Sequence, residues 1–143
     1  MSLITFESGV LHWPRGVREK LSPYFWTNEF DCHCGTCPTQ KVAPELITKL
    51  DGVRRDLGQP LFINSGFRCA AYQRRLATEG HQTAKVVSQH ELGRAADIAC
   101  RALGGHQLAE RYASKYFQSI GMAVGWCHVD LRPEKRRWSY VSG

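Results

Sequence analysis

Ser88-Gln-His90-Glu-Leu-Gly93-Arg-Ala95-Ala96-Asp97 is the stretch on which the reading of this chain turns. It offers an imidazole and a carboxylate, both preferred zinc ligands. The glycine between them permits a tight turn, so a loop residue and a strand residue can converge on one ion. Ala95 to Ala99 reads as a short strand. Further on, Trp126-Cys-His128-Val-Asp130-Leu131 reads as another. Alternation along a strand puts His128 and Asp130 on one face. Two histidines and one carboxylate make a three-ligand set and leave a fourth position for water, the open arrangement of catalytic zinc sites. Zinc there would acidify the water and polarise a carbonyl.

Elements can be placed around these two strands. Pro44 suits a first helical position, and Leu46, Ile47, Leu50, Val53 and Leu57 follow at three- and four-residue spacing up to a stop at Gly58. Pro60 to Ile63 reads as a buried strand ended by Asn64-Ser65-Gly66. Ala70 to Ala77 reads as a helical turn or two, and Thr78 to Val87 as a polar loop. A helix is expected over His106 to Ser119, with Leu108, Tyr112, Tyr116 and Ile120 on one side. Residues 1–28, punctuated by Pro14, Gly16 and Pro23, read as an irregular extension, with Tyr24-Phe25-Trp26 as a patch that docks on the body. Pro133 to Gly143 reads as a basic tail. The sum is an α+β fold with a small antiparallel sheet flanked by helices.

A chain of 143 residues forms one domain. Its apolar share of 43% and charged share of 22% are ordinary for a globular protein and exclude general disorder. No stretch is long and apolar enough for a membrane helix. Met1 to Val10 holds no basic cluster followed by an apolar run, so no signal peptide is expected. The net charge of +6 favours polyanionic surroundings, whether nucleic acid, anionic membrane or cell wall. Arg132, Lys135, Arg136 and Arg137, with Trp138 and Tyr140, resemble a stacking surface for nucleic acid, but one short run reads better as a solvated or wall-facing surface. His12, His33, His81 and His106 have no ligand-like surroundings and read as core or surface residues.

Four motifs in order carry a resemblance. Ser65-Gly66-Phe67-Arg68, then Ser88-x-His90-x-x-Gly93-x-Ala95-x-Asp97, then His128-Val-Asp130-Leu-Arg132 and Arg137-Trp138, resemble the zinc D-Ala-D-Ala carboxypeptidase family, in the branch ending in His-Val-Asp. The resemblance covers about 28–138, which it implies is the core of the domain. That family includes phage endolysin peptidases, and its fold is shared with the hedgehog signalling domain. The resemblance implies Zn2+ as cofactor, bacterial peptidoglycan as partner, and hydrolysis of an amide bond in the stem peptide or crosslink. It implies a protein made in the cytoplasm that reaches the cell wall or periplasm by phage-type release. His90, Asp97 and His128 match the zinc ligands. Arg68 matches an arginine near the scissile carbonyl, where a fixed cation steadies a forming oxyanion. Ser88 is a candidate to orient its neighbours or contact substrate, not a nucleophile. Asp130 is the leading candidate for general base, with the role of third ligand as its alternative. The family often places Glu or His just before the third ligand. Met122 to Trp126 hold neither. That departure supports a second expectation, a binding module that keeps the zinc without turnover.

The cysteines leave several readings open. Cys32-x-Cys34-x-x-Cys37 has a compact metal-like spacing, and Cys69 offers a fourth thiolate. Disulfides, one of them tying this loop to Cys69, fit equally. Cys100 and Cys127 lie at opposite parity to Asp97 and His128, so paired strands would turn both thiols toward the core.

Overall fold

The computed structural model of the chain describes residues 1–81 and 87–140. The expected loop Thr78 to Val87 and the tail to Gly143 therefore fall partly outside the described residues.

The main sheet has five strands: β4 (Phe62–Ser65), β5 (Ala95–Ala99), β6 (Ser119–Met122), β7 (Cys127–Asp130) and β8 (Arg136–Ser139). Their order across the sheet is β4-β5-β7-β6-β8. All pairs are antiparallel except β6 with β8, which is parallel. The fold is α+β as expected, with that single parallel edge added.

Register decides the site. One row of Cα partners runs across all five strands: Ser65 with Asp97, Asp97 with His128, His128 with Gly121, and Gly121 with Trp138. A neighbouring row pairs Ala95 with Asp130, Asp130 with Ser119, and Ser119 with Arg136. Because side chains alternate, these residues share one face. The interleaved Ala96, Ile98, Ile120, Cys127 and Val129 belong to the hydrophobic core.

Helix α1 (Pro44–Leu57) starts and stops where its sequence signals place it, with Pro44 at the first position and Gly58 as cap. It gives Leu46, Leu50 and Val53 to the core, each at 0% exposure. Helix α2 (Ala70–Thr78) is capped by Cys69, whose sulfur accepts the Tyr72 N–H. Cys100 and Cys127 lie in the core, as parity implied.

Two expectations are corrected. The helix expected over His106 to Ser119 is shorter: α3 (Gly105–Arg111) gives way to a 3-10 turn, Ala113–Lys115, and then to β6. Leu108 and Ile120 are both buried, but one lies on a helix and the other on a strand. Apolar spacing therefore continued across a boundary that periodicity could not see. The start of the chain is not irregular throughout. β1 (Thr5–Glu7), β2 (Val10–Pro14) and β3 (Thr39–Val42) form a second, antiparallel sheet. Ser8 and Gly9 both take positive φ, the signature of a tight two-residue hairpin turn. Trp13 of β2 is buried in the core and donates its indole N–H to Asp31 at 2.8 Å. Of the Tyr24-Phe25-Trp26 patch, Phe25 alone is fully buried, edge-on to Phe30 with ring centres 6.1 Å apart.

Candidate metal centre

His90 reaches the sheet face from the loop between α2 and β5. The Ser88 hydroxyl accepts the His90 N–H at 3.2 Å, which sets the turn. Gly93 closes it with φ +71, and a Cβ there would crowd the Lys41 carbonyl at 3.1 Å. The Gly93 carbonyl accepts the Ala43 N–H at 2.8 Å, so the loop is pinned between β3 and the start of α1.

His90, Asp97 and His128 converge, each offering a donor atom within 4.8 Å of the others. All three are buried. Asp97 Oδ1 is 3.2 Å from His90 Nε2 and 3.1 Å from His128 Nδ1. The outward atom of each group is held by the protein. His90 Nδ1 lies 2.7 Å from the Gly66 carbonyl, an acceptor only, so this nitrogen carries the proton. His128 Nε2 lies 2.7 Å from Asp130 Oδ2, which fixes its proton the same way. Asp97 Oδ2 receives Arg68 Nη2 at 2.8 Å. Two imidazole lone pairs and one carboxylate oxygen are thus aimed at one another. Such a cluster of acceptors could hold a metal cation among them. Two histidines and one carboxylate, each oriented by an outer partner, are the donor set that zinc takes.

The electrostatics of the metal-free cluster divide the two histidines. Burial works against ionisation of Asp97, yet His90 and His128 outweigh it and hold the carboxyl well below the usual range. Burial pulls His90 down and keeps it neutral. For His128 burial also pulls down, but hydrogen bonds to Asp130 and Asp97 win and raise it.

Arg68 stands over the cluster. Its Nε donates to Ser65 Oγ at 2.9 Å and its Nη1 reaches Gln73 Oε1 at 3.4 Å. Ser88 and Arg68 both line the cleft above the histidines, a space of about 1280 Å³. Trp138 packs against His128, ring centres 5.4 Å apart, and Tyr140 packs against Trp126 at 4.9 Å. Burial, with the Asp97 charge adding, pushes the Tyr140 phenol up to about 12, so it stays a donor at neutral pH.

Asp130, the candidate general base, lies behind His128. It is not among the cleft-lining residues, and its side chain has 0% exposure. Its oxygens receive Ser119 Oγ at 2.9 Å and the Arg132 guanidinium at 3.0 and 2.9 Å, besides His128. Asp97 is the one carboxylate that lines the cleft among the described residues.

Sequence reasoning missed the outer partners. Arg132 read as surface charge, yet it pairs with Asp130. The Ser119 hydroxyl and the Gly66 carbonyl carried no signal, because a backbone acceptor and a lone serine look alike anywhere in a sequence.

The model of the peptidase M15 family matches residues 23–130. That span contains His90, Asp97, His128, Asp130 and Arg68. Comparison with curated proteins and with solved structures finds no match.

Proposed function

From the premise that this chain belongs to the peptidase M15 family, we propose that it is a zinc peptidase acting on peptidoglycan, cutting an amide bond of the stem peptide or crosslink. The observation that carries the reading is the convergence of His90 Nε2, His128 Nδ1 and Asp97 Oδ1, each oriented from behind.

These three residues would hold the zinc. When bound, zinc supplies Lewis acidity, which lowers the pKa of water and polarises a carbonyl. The chain's own residues do the rest. Asp130 fixes the His128 tautomer, and Gly66 fixes that of His90. Arg68, tied to Ser65, presents a fixed cation beside the cluster, placed to receive charge that develops on a carbonyl oxygen. Ser88 shapes the His90 turn from inside the cleft wall. Asp130 acts through His128 as a positioning residue.

Charge supports the substrate class. Arg68, Arg132, Lys135, Arg136 and Arg137 line the cleft, against the single carboxylate of Asp97. Stem peptides carry free carboxylates, which such a cleft attracts. That substrate sets the place of action at the cell wall. No helix among the described residues is long and apolar enough to cross a membrane.

One observation favours a second reading. Apart from Asp97, the described cleft offers no carboxylate to take a proton from water. A zinc-containing binding module of the same fold would need none. The deciding experiment is mass spectrometry of purified peptidoglycan incubated with the protein, with and without a chelator. New peptide fragments that vanish with the chelator establish the peptidase, and their masses name the bond. Binding to the wall without release, from zinc-loaded protein, establishes the module.

A further inference from the structure

A second group of ligand atoms lies apart from the cleft. The sulfurs of Cys32, Cys34, Cys37 and Cys69 all fall within 4.8 Å of one another. All four are free thiols. Cys34 Sγ and Cys69 Sγ are 3.8 Å apart, far beyond a disulfide bond of about 2.05 Å. A tetrahedron with zinc–sulfur bonds of about 2.3 Å has edges of roughly that 3.8 Å.

N–H groups point at the sulfurs. Cys34-Gly35-Thr36-Cys37 makes a turn in which the N–H groups of Thr36 and Cys37 point at Cys34 Sγ, at 3.4 and 3.3 Å. Gly35 allows the turn with φ +80. The Cys69 N–H points at Cys32 Sγ at 3.3 Å, and the Tyr72 N–H at Cys69 Sγ at 3.4 Å. Arg15 Nη2 lies 3.1 Å from Cys37 Sγ and 3.5 Å from Cys34 Sγ. Gln40 Nε2 adds a donor to Cys37 at 3.3 Å. Each of the four sulfurs thus receives at least one N–H, and those of Cys34, Cys37 and Cys69 receive one from outside the group. A neutral thiol is a weak acceptor, whereas a metal-bound thiolate accepts such bonds readily. The guanidinium offsets part of the excess negative charge that four thiolates leave on a divalent ion.

We propose that Cys32, Cys34, Cys37 and Cys69 form a closed, structural zinc site, separate from the His90, Asp97 and His128 centre. Four thiolates leave no open position, so this site is not catalytic. Its place in the fold gives it a purpose. Three ligands come from the loop that follows Phe30, and the fourth caps α2 directly after Arg68. The Phe67 N–H donates to the Phe30 carbonyl at 2.9 Å, so the two segments already touch. The metal clamps the loop before β3 to the start of α2, and with it the backbone that carries Arg68.

The inference stands on its own geometry and does not depend on the peptidase reading. The test is the zinc content of the full chain purified under reducing conditions, by elemental analysis. Two zinc ions per chain are expected, falling to one in His90→Ala. Cobalt replacing the zinc in His90→Ala is expected to show intense thiolate-to-metal charge-transfer absorption, since four sulfurs remain as ligands. That variant leaves the cysteines intact, so the test survives even if Cys34→Ser does not fold. Cys34→Ser, where it folds, keeps one zinc without that absorption. One zinc in the parent and none in His90→Ala overturns the site. So does a mass showing these cysteines paired as disulfides. Iron in place of zinc overturns the choice of metal.

Discussion

Asp130 Oδ2 lies 2.7 Å from His128 Nε2, while the other nitrogen of the same ring, Nδ1, faces Asp97 Oδ1 at 3.1 Å. One carboxylate holds the imidazole from behind and another shares its front. Asp130→Asn replaces an acceptor with an amide whose NH2 opposes donors on Ser119, Arg132 or His128. Zinc affinity at this centre is expected to fall by about 10- to 100-fold, the usual effect of losing an outer partner. Competition with a graded chelator measures it. Unchanged affinity with lost turnover would return Asp130 to the role of proton acceptor.

Arg68 is held by Ser65 and Gln73 and touches Asp97 on the oxygen turned away from the histidines. Arg68→Ala is expected to lower kcat by about 10² to 10³, the scale of one lost oxyanion donor. KM should move less. Arg68→Lys keeps the charge but loses the fork that reaches Ser65 and Asp97 together, so it should recover only part of the rate. Steady-state kinetics on a soluble stem peptide would show it. Equal kinetics for Arg68→Ala and the parent would remove Arg68 from the chemistry.

Gly121 pairs with His128 on one side and Trp138 on the other. A Cβ at Gly121 would fall 2.4 Å from the Trp138 indole. Gly121→Ala must therefore displace the Trp138 indole, which also packs on the His128 ring. A loss of roughly 1–3 kcal/mol in stability is expected, the usual cost of overpacking. Denaturant unfolding and Trp fluorescence report both changes. A variant as stable as the parent with unmoved fluorescence would mean that the indole does not pack there.

The metal-free protein should lose stability in acid. Burial opposes ionisation of Asp97 and Asp130, but their histidine and arginine partners hold both carboxyls well below the unfolded value near 3.9. Stability from a depressed carboxyl is full above the unfolded pKa and lost as pH falls toward the folded one. His90, pulled down by burial, acts in the same direction, from about pH 6.5 downward. His128 is raised in spite of burial, so its contribution is full below about pH 6.5 and lost as pH rises. The two histidines oppose each other near neutrality, and the carboxylates rule the acid limb. Urea midpoints of chelator-treated protein from pH 7 to 3 should fall most steeply below about pH 4. They should fall less steeply in Asp130→Asn. With zinc present, loss of metal should come before unfolding as the pH falls, since the histidines must be neutral to bind.

Much of the centre is legible along the chain. His90 and Asp97 lie close in sequence around one glycine, and His128 alternates with Asp130 on a strand. The α1 signals, Pro44 and Gly58, give its ends directly. The three-stranded sheet near the start was not read, although Ser8-Gly9 is a turn signal. Its strands are short, β1 is exposed throughout, and β3 comes from far along the chain. The exposed face of β1 offers no apolar alternation to detect.

Residue types and their local spacing determined which groups were available: two imidazoles, two carboxylates, one arginine and a compact set of cysteines. Those facts follow from short-range geometry, which a sequence carries. Only the tertiary structure decided that Asp130 is buried beneath His128, that Arg132 and Ser119 hold it, and that Cys69 joins the loop of Cys32, Cys34 and Cys37. These depend on strand register and on the approach of distant segments. A shift by one residue in register would have turned Asp130 to the core face and left every local motif unchanged.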